Sequence, residues 1–481
     1  MTKNSSNNLI QVSILIVNYN GRHLLEECLE SLFAIQFSKE KFEVVIVDND
    51  SQDGSVPFIK KNFPQVILIE SQENLGFAGG NNLAFTRARG KYIVLLNSDT
   101  KVDKLWLESL VNTAENNPKV GLINSKLYFG IPFVPIKIKS DIALKADIYG
   151  DNDYSPLGVI VEDIEAESEN LTNLIHYSTG FYSPNKDGNY TTRWTNGEAT
   201  VLLPFTGQEA DTFTMLIHGH PHTRHSDVDV SILVGETEIK KTTVQSKGVK
   251  EITIKLERVK IYKNLIWLVQ NAGNVLFKNG LSRDRGAVLT KESSQMVEFY
   301  DYDSNYYKES VQITSVCGAS CLIKREVIDQ VGLFDPNFFM YYEDVDLSLS
   351  AWRMGWDILY EPKSIVYHKH KTSTSQESDV FFSSLILKNH FLLLIKHFPI
   401  KMWLKKLLFF SAKLILVLIV LKLFYHVKYY GKYYRRFAKE VDSRYTAGIK
   451  LKKAFRSAWK TRHILRTNQL RGFEELKDKL Y

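Results

Sequence analysis

A chain of 481 residues with 44% hydrophobic and 12% aromatic content has material for two or three packed domains, which excludes overall disorder. Its three cysteines, Cys28, Cys317 and Cys321, form no Cys-x-x-Cys pair and no disulfide framework, so reduced thiols are expected. The net charge of +7 is unevenly spread: residues 381–481 hold 23 Lys+Arg against 5 Asp+Glu, a net +18, which leaves −11 on the first 380.

The N-terminal stretch has no charged-then-apolar leader pattern, and its first apolar run, VSILIVNY (12–19), reads as a strand. HLLEECLESLFA (23–34) has helical spacing, FEVVIVDND (42–50) is a second strand, a short helix is expected near 55–62, and VILIE (66–70) is a third strand. NNLAFTRARG (81–90) reads as a helix closed by Gly90, and YIVLLNSD (92–99) as the fourth strand. Strands that are near-continuous apolar runs, alternating with helices, predict a mostly parallel sheet covered on both faces. Ligands in such sheets bind beyond the carboxyl ends of the strands. The polar clusters Asn18-Tyr19-Asn20, Asp48-Asn49-Asp50 and Asn97-Ser98-Asp99 all fall at that rim.

From about 172 to 292 the pattern changes to short alternating runs broken by Gly, Asn and Pro, which predicts an all-β sandwich inserted into the α/β domain; 131–171 reads as a connection. Strand–helix alternation resumes at SVCGASCLIK (315–324). Residues 380–440 are apolar and basic together. The 15-residue run 407–421 is short for a bilayer-crossing helix and is flanked by lysines on both sides, which favours a segment lying on an anionic membrane surface over a span. The charge asymmetry points the same way, and away from nucleic acid.

Two acids brought to one rim by separate strands suit a divalent cation with oxygen ligands, Mg²⁺ or Mn²⁺, although a single carboxylate at a strand end reads equally as a turn or a helix cap. ENLGFAGGNN (73–82) places glycines before a helix, where backbone N–H groups can receive phosphate; it is neither a dinucleotide fingerprint nor a Walker loop. Glu343 and Asp344 open a helix that ends near Gly355, Asp346 reads as a structural cap or ion pair, and His368 ends the strand SIVYH. In the inserted module, Trp194 reads as a sugar platform or as core, and HGHPHTRH (218–225) as a polar loop.

Taken in order, SILIVNYN, VVIVDNDSQDGS, ENLGFAGGNN, YIVLLNSDT, CGASCLIKREVIDQVGLFDPNFFMYYEDVDLSLSAWRMGW and VYHKH resemble glycosyltransferase family 2, in its rhamnosyltransferase-like branch, over about 12–130 and 312–372. The resemblance implies a Rossmann-like GT-A fold and inverting transfer from a nucleotide-sugar. Asn18, Tyr19, Asn20 and Asp48 would line the nucleoside, and Asn74, Gly79 and Gly80 would lie beside the diphosphate. Asn97 and Asp99 would occupy the Asp-x-Asp position with Asp99 on the cation, His368 would complete the metal site, and Asp344 would be the general base with Glu343 its neighbour. The implied divisions are 9–130 for the donor half, 172–292 for the inserted sandwich, 300–380 for the acceptor half and 381–481 for a basic amphipathic helical tail on the cytoplasmic face of the membrane. The implied acceptor is a glycan or lipid-linked saccharide of the cell surface. The Gln-x-x-Arg-Trp signature of processive synthases is absent, which favours one addition per encounter. The rival expectation is a catalytically silent glycan-binding protein that uses the insert.

Overall fold

The computed structural model describes residues 10–149, 152–187, 190–207, 210–219, 227–257, 262–292, 295–300, 304–369, 379–408 and 431–480. All but the first two residues of the expected membrane run 407–421, and all but the first two of HGHPHTRH, lie outside the described residues. The chain divides into two compact units. The first comprises residues 1–130, 271–285 and 305–481, and the second 131–270 and 286–304.

The first unit is α/β. Its strands are β1 (Val12–Asn18), β2 (Phe42–Asp48), β3 (Ile67–Glu70), β4 (Tyr92–Leu96), β5 (Thr100–Val102), β6 (Val120–Phe129), β7 (Ser320–Lys324) and β8 (Asp357–His368). The main sheet runs β8-β6-β7-β4-β1-β2-β3, with the short strand Val311–Gln312 outside β8. Pairs β1–β2, β2–β3, β1–β4 and β6–β8 are parallel, β7 runs antiparallel to its neighbours β4 and β6, and β5 and Val311–Gln312 run antiparallel to β8. Alternate side chains of one strand enter two different cores, which is why the strands read as unbroken apolar runs. Leu15, Val45, Ile93 and Leu95 belong to one core, and Ile14, Ile16, Ile46 and Val94 to the other.

Helices α1 (Arg22–Phe33), α2 (Ser55–Asn62) and α4 (Trp106–Asn116) cover the second core. On the first lie α3 (Gly76–Phe85), α5 (Arg325–Val331), α6 (Glu343–Arg353), α7 (Asp379–His397), the end of α8 (Gly431–Asn468) and α9 (Phe473–Lys477). Helix α3 starts five residues earlier than the expected 81–90. Gly79 and Gly80 therefore sit inside it, not before it. A Cβ on Gly80 would lie 2.8 Å from both methyls of Val17, so this glycine is required for close packing of helix on strand.

The tail differs most from expectation. Helix α7 is not a surface-lying amphipath but part of the core: Leu385, Phe391, Leu393 and Phe398 are buried, and so are Lys388 and Lys396. The cations are accommodated by partners. Lys396 Nζ bonds Asp346 at 2.6 Å and Asp335 at 3.1 Å, and His397 Nε2 bonds Asp346 Oδ1 at 2.8 Å. From α8, Arg462 donates to the carbonyls of Ile395 and Phe398, and Arg471 ties the chain beyond it to Asp357 at 2.9 Å. Part of the basic excess thus stabilises the first unit. Among the described residues, no helix is long and apolar enough to cross a membrane.

Asp346 is held below its ordinary pKa because Lys396 and His397 outweigh its burial, while burial drives His397 down from 6.5 to about 4 despite its bond to Asp346. The imidazole is therefore the neutral donor and Lys396 the compensating cation. Both shifts carry the same sign: the folded state binds fewer protons than the unfolded chain, so stability falls as pH drops below 6.5 and falls further below 3.8. Asp346→Ala, which strands a buried lysine, is expected to cost about 3–5 kcal/mol by denaturant unfolding, and to remove the Asp346 part of that acid sensitivity.

Among its described residues the second unit holds two larger antiparallel sheets and two two-stranded ones, Ala143–Leu144 with Pro156–Leu157 and Ala287–Glu292 with Gln295–Tyr300. Of the larger two, one runs 176–177, 198–204, 133–140, 228–234, 237–244; the other includes 165–166, 210–218, 160–162, 190–194 and 249–257. One apolar core joins Ile136, Val201 and Ile232 of the first to Val161, Met215 and Ile254 of the second. Residues 131–171 are therefore not a connection: Phe133–Ser140 is the middle strand of a sheet, although Pro135 would ordinarily mark an edge. Residues 271–285 leave this unit and form a hairpin, Asn274–Leu276 with Ser282–Asp284, within the first. Trp194 is half-buried on the strand Tyr190–Trp194.

Candidate active site

The expected rim residues gather at the carboxyl ends of β1, β2 and β4, in three corners. In the first, Asp48 is buried. Its Oδ2 accepts from Asn18 Nδ2 at 2.9 Å and its Oδ1 from the Ser51 N–H at 3.0 Å. Asn18 also reaches Ser51 at 3.2 Å, and its own Oδ1 is buried with no partner among the described residues. Asn20, left-handed at φ 49°, accepts from the Gln52 N–H at 2.8 Å and donates its backbone N–H to Ser51. Tyr19 stands exposed beside them. Asn49, which the sequence reading left inside its cluster without a role, staples this corner to α3. Its Nδ2 donates to Asn74 Oδ1 at 2.9 Å and to the Gly76 carbonyl, and its Oδ1 accepts the Leu75 N–H at 3.0 Å. Asn74 thus shapes the turn into α3, also accepting the Gly76 N–H at 2.9 Å. Gly79 and Gly80, by contrast, are placed by packing inside α3.

In the second corner, β5 pairs antiparallel with the end of β8 and sets His368 opposite Thr100. His368 Nε2 lies 3.0 Å from Asp99 Oδ1, both side chains nearly buried, and 3.4 Å from Asn97 Nδ2. Burial disfavours the imidazolium, yet the charge and hydrogen bond of Asp99, helped by Asp284, hold His368 above its ordinary pKa. The helix-capping alternative for Asp99 is answered by Asp103, whose Oδ1 accepts the Leu105 N–H at 2.9 Å ahead of α4. A carboxylate oxygen and an imidazole nitrogen about 3 Å apart have the separation of neighbouring ligands on a six-coordinate ion with bonds of roughly 2.1 Å. The donor set, one oxygen and one nitrogen, fits Mn²⁺ or Mg²⁺ with the remaining positions left to water and phosphate oxygens. Among the described residues no group of three or more ligating side chains occurs.

The third corner is the start of α6. Asp344 is partly buried; its Oδ2 accepts the Gly318 N–H at 3.0 Å, its Oδ1 the Val345 N–H at 2.7 Å, and Asn274 bonds it as well. Burial raises its pKa above the ordinary aspartate value, while these N–H donors favour the anion. Burial and the neighbouring Asp344 push Glu343 much higher, and Glu343 Oε2 has no partner among the described residues. Both carboxyls are thus harder to ionise than exposed ones, and Asp344 is oriented by N–H donors. The loop before them is strained: Phe339, Tyr341 and Tyr342 have φ of 65°, 69° and 71°, a conformation costing of order 1–3 kcal/mol per non-glycine residue and typical of functional sites.

The hairpin 271–285 supplies what the sequence reading missed. Asn271 bonds Asn274 and Asp284, each at 2.9 Å, and Asn124 at 3.2 Å. Asp284 acts on His368 and Asn274 on Asp344, so this segment links the second and third corners. Nothing in its alternation distinguishes it from the β-rich sequence on either side.

The family described as Glycosyl transferase family 2 matches residues 13–155, and the one described as Glycosyltransferase like family 2 matches 287–383. Poly(ribitol-phosphate) beta-glucosyltransferase of Bacillus spizizenii is 34% identical over 112 residues, 22% of this chain and 18% of that protein. Glycosyltransferase AglE of Haloferax volcanii is 30% identical over 126 residues, 25% of this chain and 40% of that protein. The chain spans less than half the length of these curated relatives. Among solved structures, the mannosyltransferase PcManGT from Pyrobaculum calidifontis, in complex with GDP-Man and Mn²⁺, aligns over 92% of this chain and 86% of its own, with 12% identity and a TM-score of 0.38.

Proposed function

Because the chain carries glycosyltransferase family 2 domains, at 13–155 and 287–383, we propose that it transfers a sugar from a nucleotide-sugar to a glycan or lipid-linked acceptor in cell-surface polysaccharide synthesis, with inversion at the anomeric carbon and one addition per encounter. The observation that carries this reading is the Asp344 carboxylate, aimed by two backbone N–H groups at the start of α6.

Asp48, Asn18, Tyr19 and Asn20 receive the nucleoside, and the turn at Asn74 and the start of α3 lie toward the diphosphate. Asp99 and His368 would hold the divalent ion, which when bound neutralises charge on the departing diphosphate. Asp344 accepts the acceptor hydroxyl proton as that oxygen attacks the anomeric carbon from the face opposite the leaving group. One carboxylate suffices, whereas glycoside hydrolysis uses two flanking the bond. Glu343 stands beside Asp344, its carboxyl pKa pushed up by burial and by that neighbour. Membrane association is carried by residues 400–408, where Ile400, Leu404 and Leu408 are exposed beside Lys401 and Lys405 and no acid intervenes. The anomeric configuration of product formed in situ, read by proton NMR, tests the mechanism. Inversion is expected; retention would rule out Asp344 as a simple base. Rhamnose donors belong in the first panel.

A further inference from the structure

Three consecutive residues of α7, Lys388, Asn389 and His390, grip the strained loop ahead of α6, although the chemistry proposed above uses none of them. Asn389 is fully buried, and its Nδ2 donates to the carbonyls of Phe338, Met340 and Tyr341 at 3.0, 2.7 and 2.7 Å. A carboxamide nitrogen has two N–H groups, so the three acceptors share them; an oxygen at this place would face three carbonyls. These carbonyls converge because Phe339, Tyr341 and Tyr342 are left-handed, which turns successive peptide groups inward. Lys388 Nζ donates to the Asn337 carbonyl and reaches that of Phe338. The His390 ring lies parallel to that of Tyr342, centroids 5.8 Å and planes 9° apart, and Tyr342 is the N-cap of α6. From the other side, the Phe339 carbonyl accepts the Ala78 N–H at 2.9 Å, so the loop is held between α3 and α7.

We infer that Asn389, flanked by Lys388 and His390, is a positioning residue for glycosyl transfer: it holds backbone 338–342 in the left-handed course that fixes where α6 begins, and thereby where the Asp344 carboxylate stands. The inference rests on Asp344 being the general base. It makes the C-terminal region part of the catalytic apparatus, since α7 supplies the donor that all three carbonyls share, of which that of Phe338 also accepts the Met340 N–H at 2.8 Å.

The test compares full-length wild type with Asn389→Ala, His390→Ala and His390→Phe. The readouts are thermal melting, Kd for UDP and GDP with Mn²⁺, and kcat with whichever of a UDP-, GDP- and dTDP-sugar panel the wild type uses fastest. Asn389→Ala is expected to lower kcat about 10²-fold, the loss typical of misplacing a reacting group by about 1 Å, while nucleotide Kd stays within about twofold. Combined with Asp344→Asn, it should add little further loss, because one residue acts through the other. His390→Phe, which keeps a ring against Tyr342, should recover most of what His390→Ala loses, and this pair carries the test if Asn389→Ala does not fold. Full additivity in the double variant, or kcat and nucleotide affinity falling together, would overturn the inference alone. Full activity in Asp344→Asn by itself would overturn the base assignment and this inference with it.

Discussion

Asp344→Asn is expected to leave nucleotide binding within about twofold of wild type while lowering turnover by about 10²–10⁴-fold, the usual contribution of a positioned general base. The amide keeps the size of the side chain and its one oxygen can still accept the Gly318 N–H, while its NH2 group faces the Val345 N–H, so thermal melting is read alongside turnover. What disappears is proton acceptance. The pH dependence has a defined sign: the base works only when ionised, and burial has raised its pKa above the ordinary aspartate value, so kcat/KM should rise with pH through an acid limb displaced upward. Glu343→Gln should shift that limb, because the second carboxyl no longer competes for the proton. Full turnover in Asp344→Asn would show that another group accepts the proton.

The second large effect concerns Asp99. Asp99→Ala should weaken cation-dependent donor binding by at least about 10–100-fold, the range seen when even an outer partner of a metal site is lost. It should leave cation-independent binding of the bare nucleoside, proposed to sit at Asp48 and Asn18, close to wild type. His368→Ala should act in the same direction. Since Asp99 and His368 now face each other at 3.0 Å, removing either takes a close partner from a nearly buried group, so a fall in melting temperature is also expected. Calorimetric titration of UDP and GDP with and without Mn²⁺ separates the two consequences. A donor affinity that responds to Mn²⁺ as strongly in Asp99→Ala as in wild type would exclude this corner as the cation site.

Much of the donor-side framework was legible because β1, β2 and β4 are buried on both faces and each stops at a polar cluster, as "IVLLNSDT" does at Asn97–Thr100. Three features were not. The helix after β3 begins at Gly76, five residues before the expected start, because Gly79 and Gly80 look like a loop in sequence but are needed where α3 packs on Val17. The tail read as surface because its lysines were counted as solvated charges. Lys396 is instead neutralised by Asp346 and Asp335, residues 50 and 61 positions away, a pairing no local pattern can reveal. The hairpin 271–285 was absorbed into the β-rich region, since alternation identifies a strand but not the sheet or core it joins. The same long-range dependence hid Asn389, which lies about fifty residues beyond the loop it bonds. By contrast, Asp346 was read as a structural ion-pair residue, and it is one.

The most direct test of sugar transfer is release of nucleoside diphosphate from a panel of UDP-, GDP- and dTDP-sugars with Mn²⁺ or Mg²⁺, repeated after chelation and with Asp99→Ala and Asp344→Asn. The expected result is release from at least one donor, abolished by chelation and strongly reduced in both variants. No release from any donor, with glycan binding retained by the intact chain, would contradict the account and favour a binding protein built on the same fold.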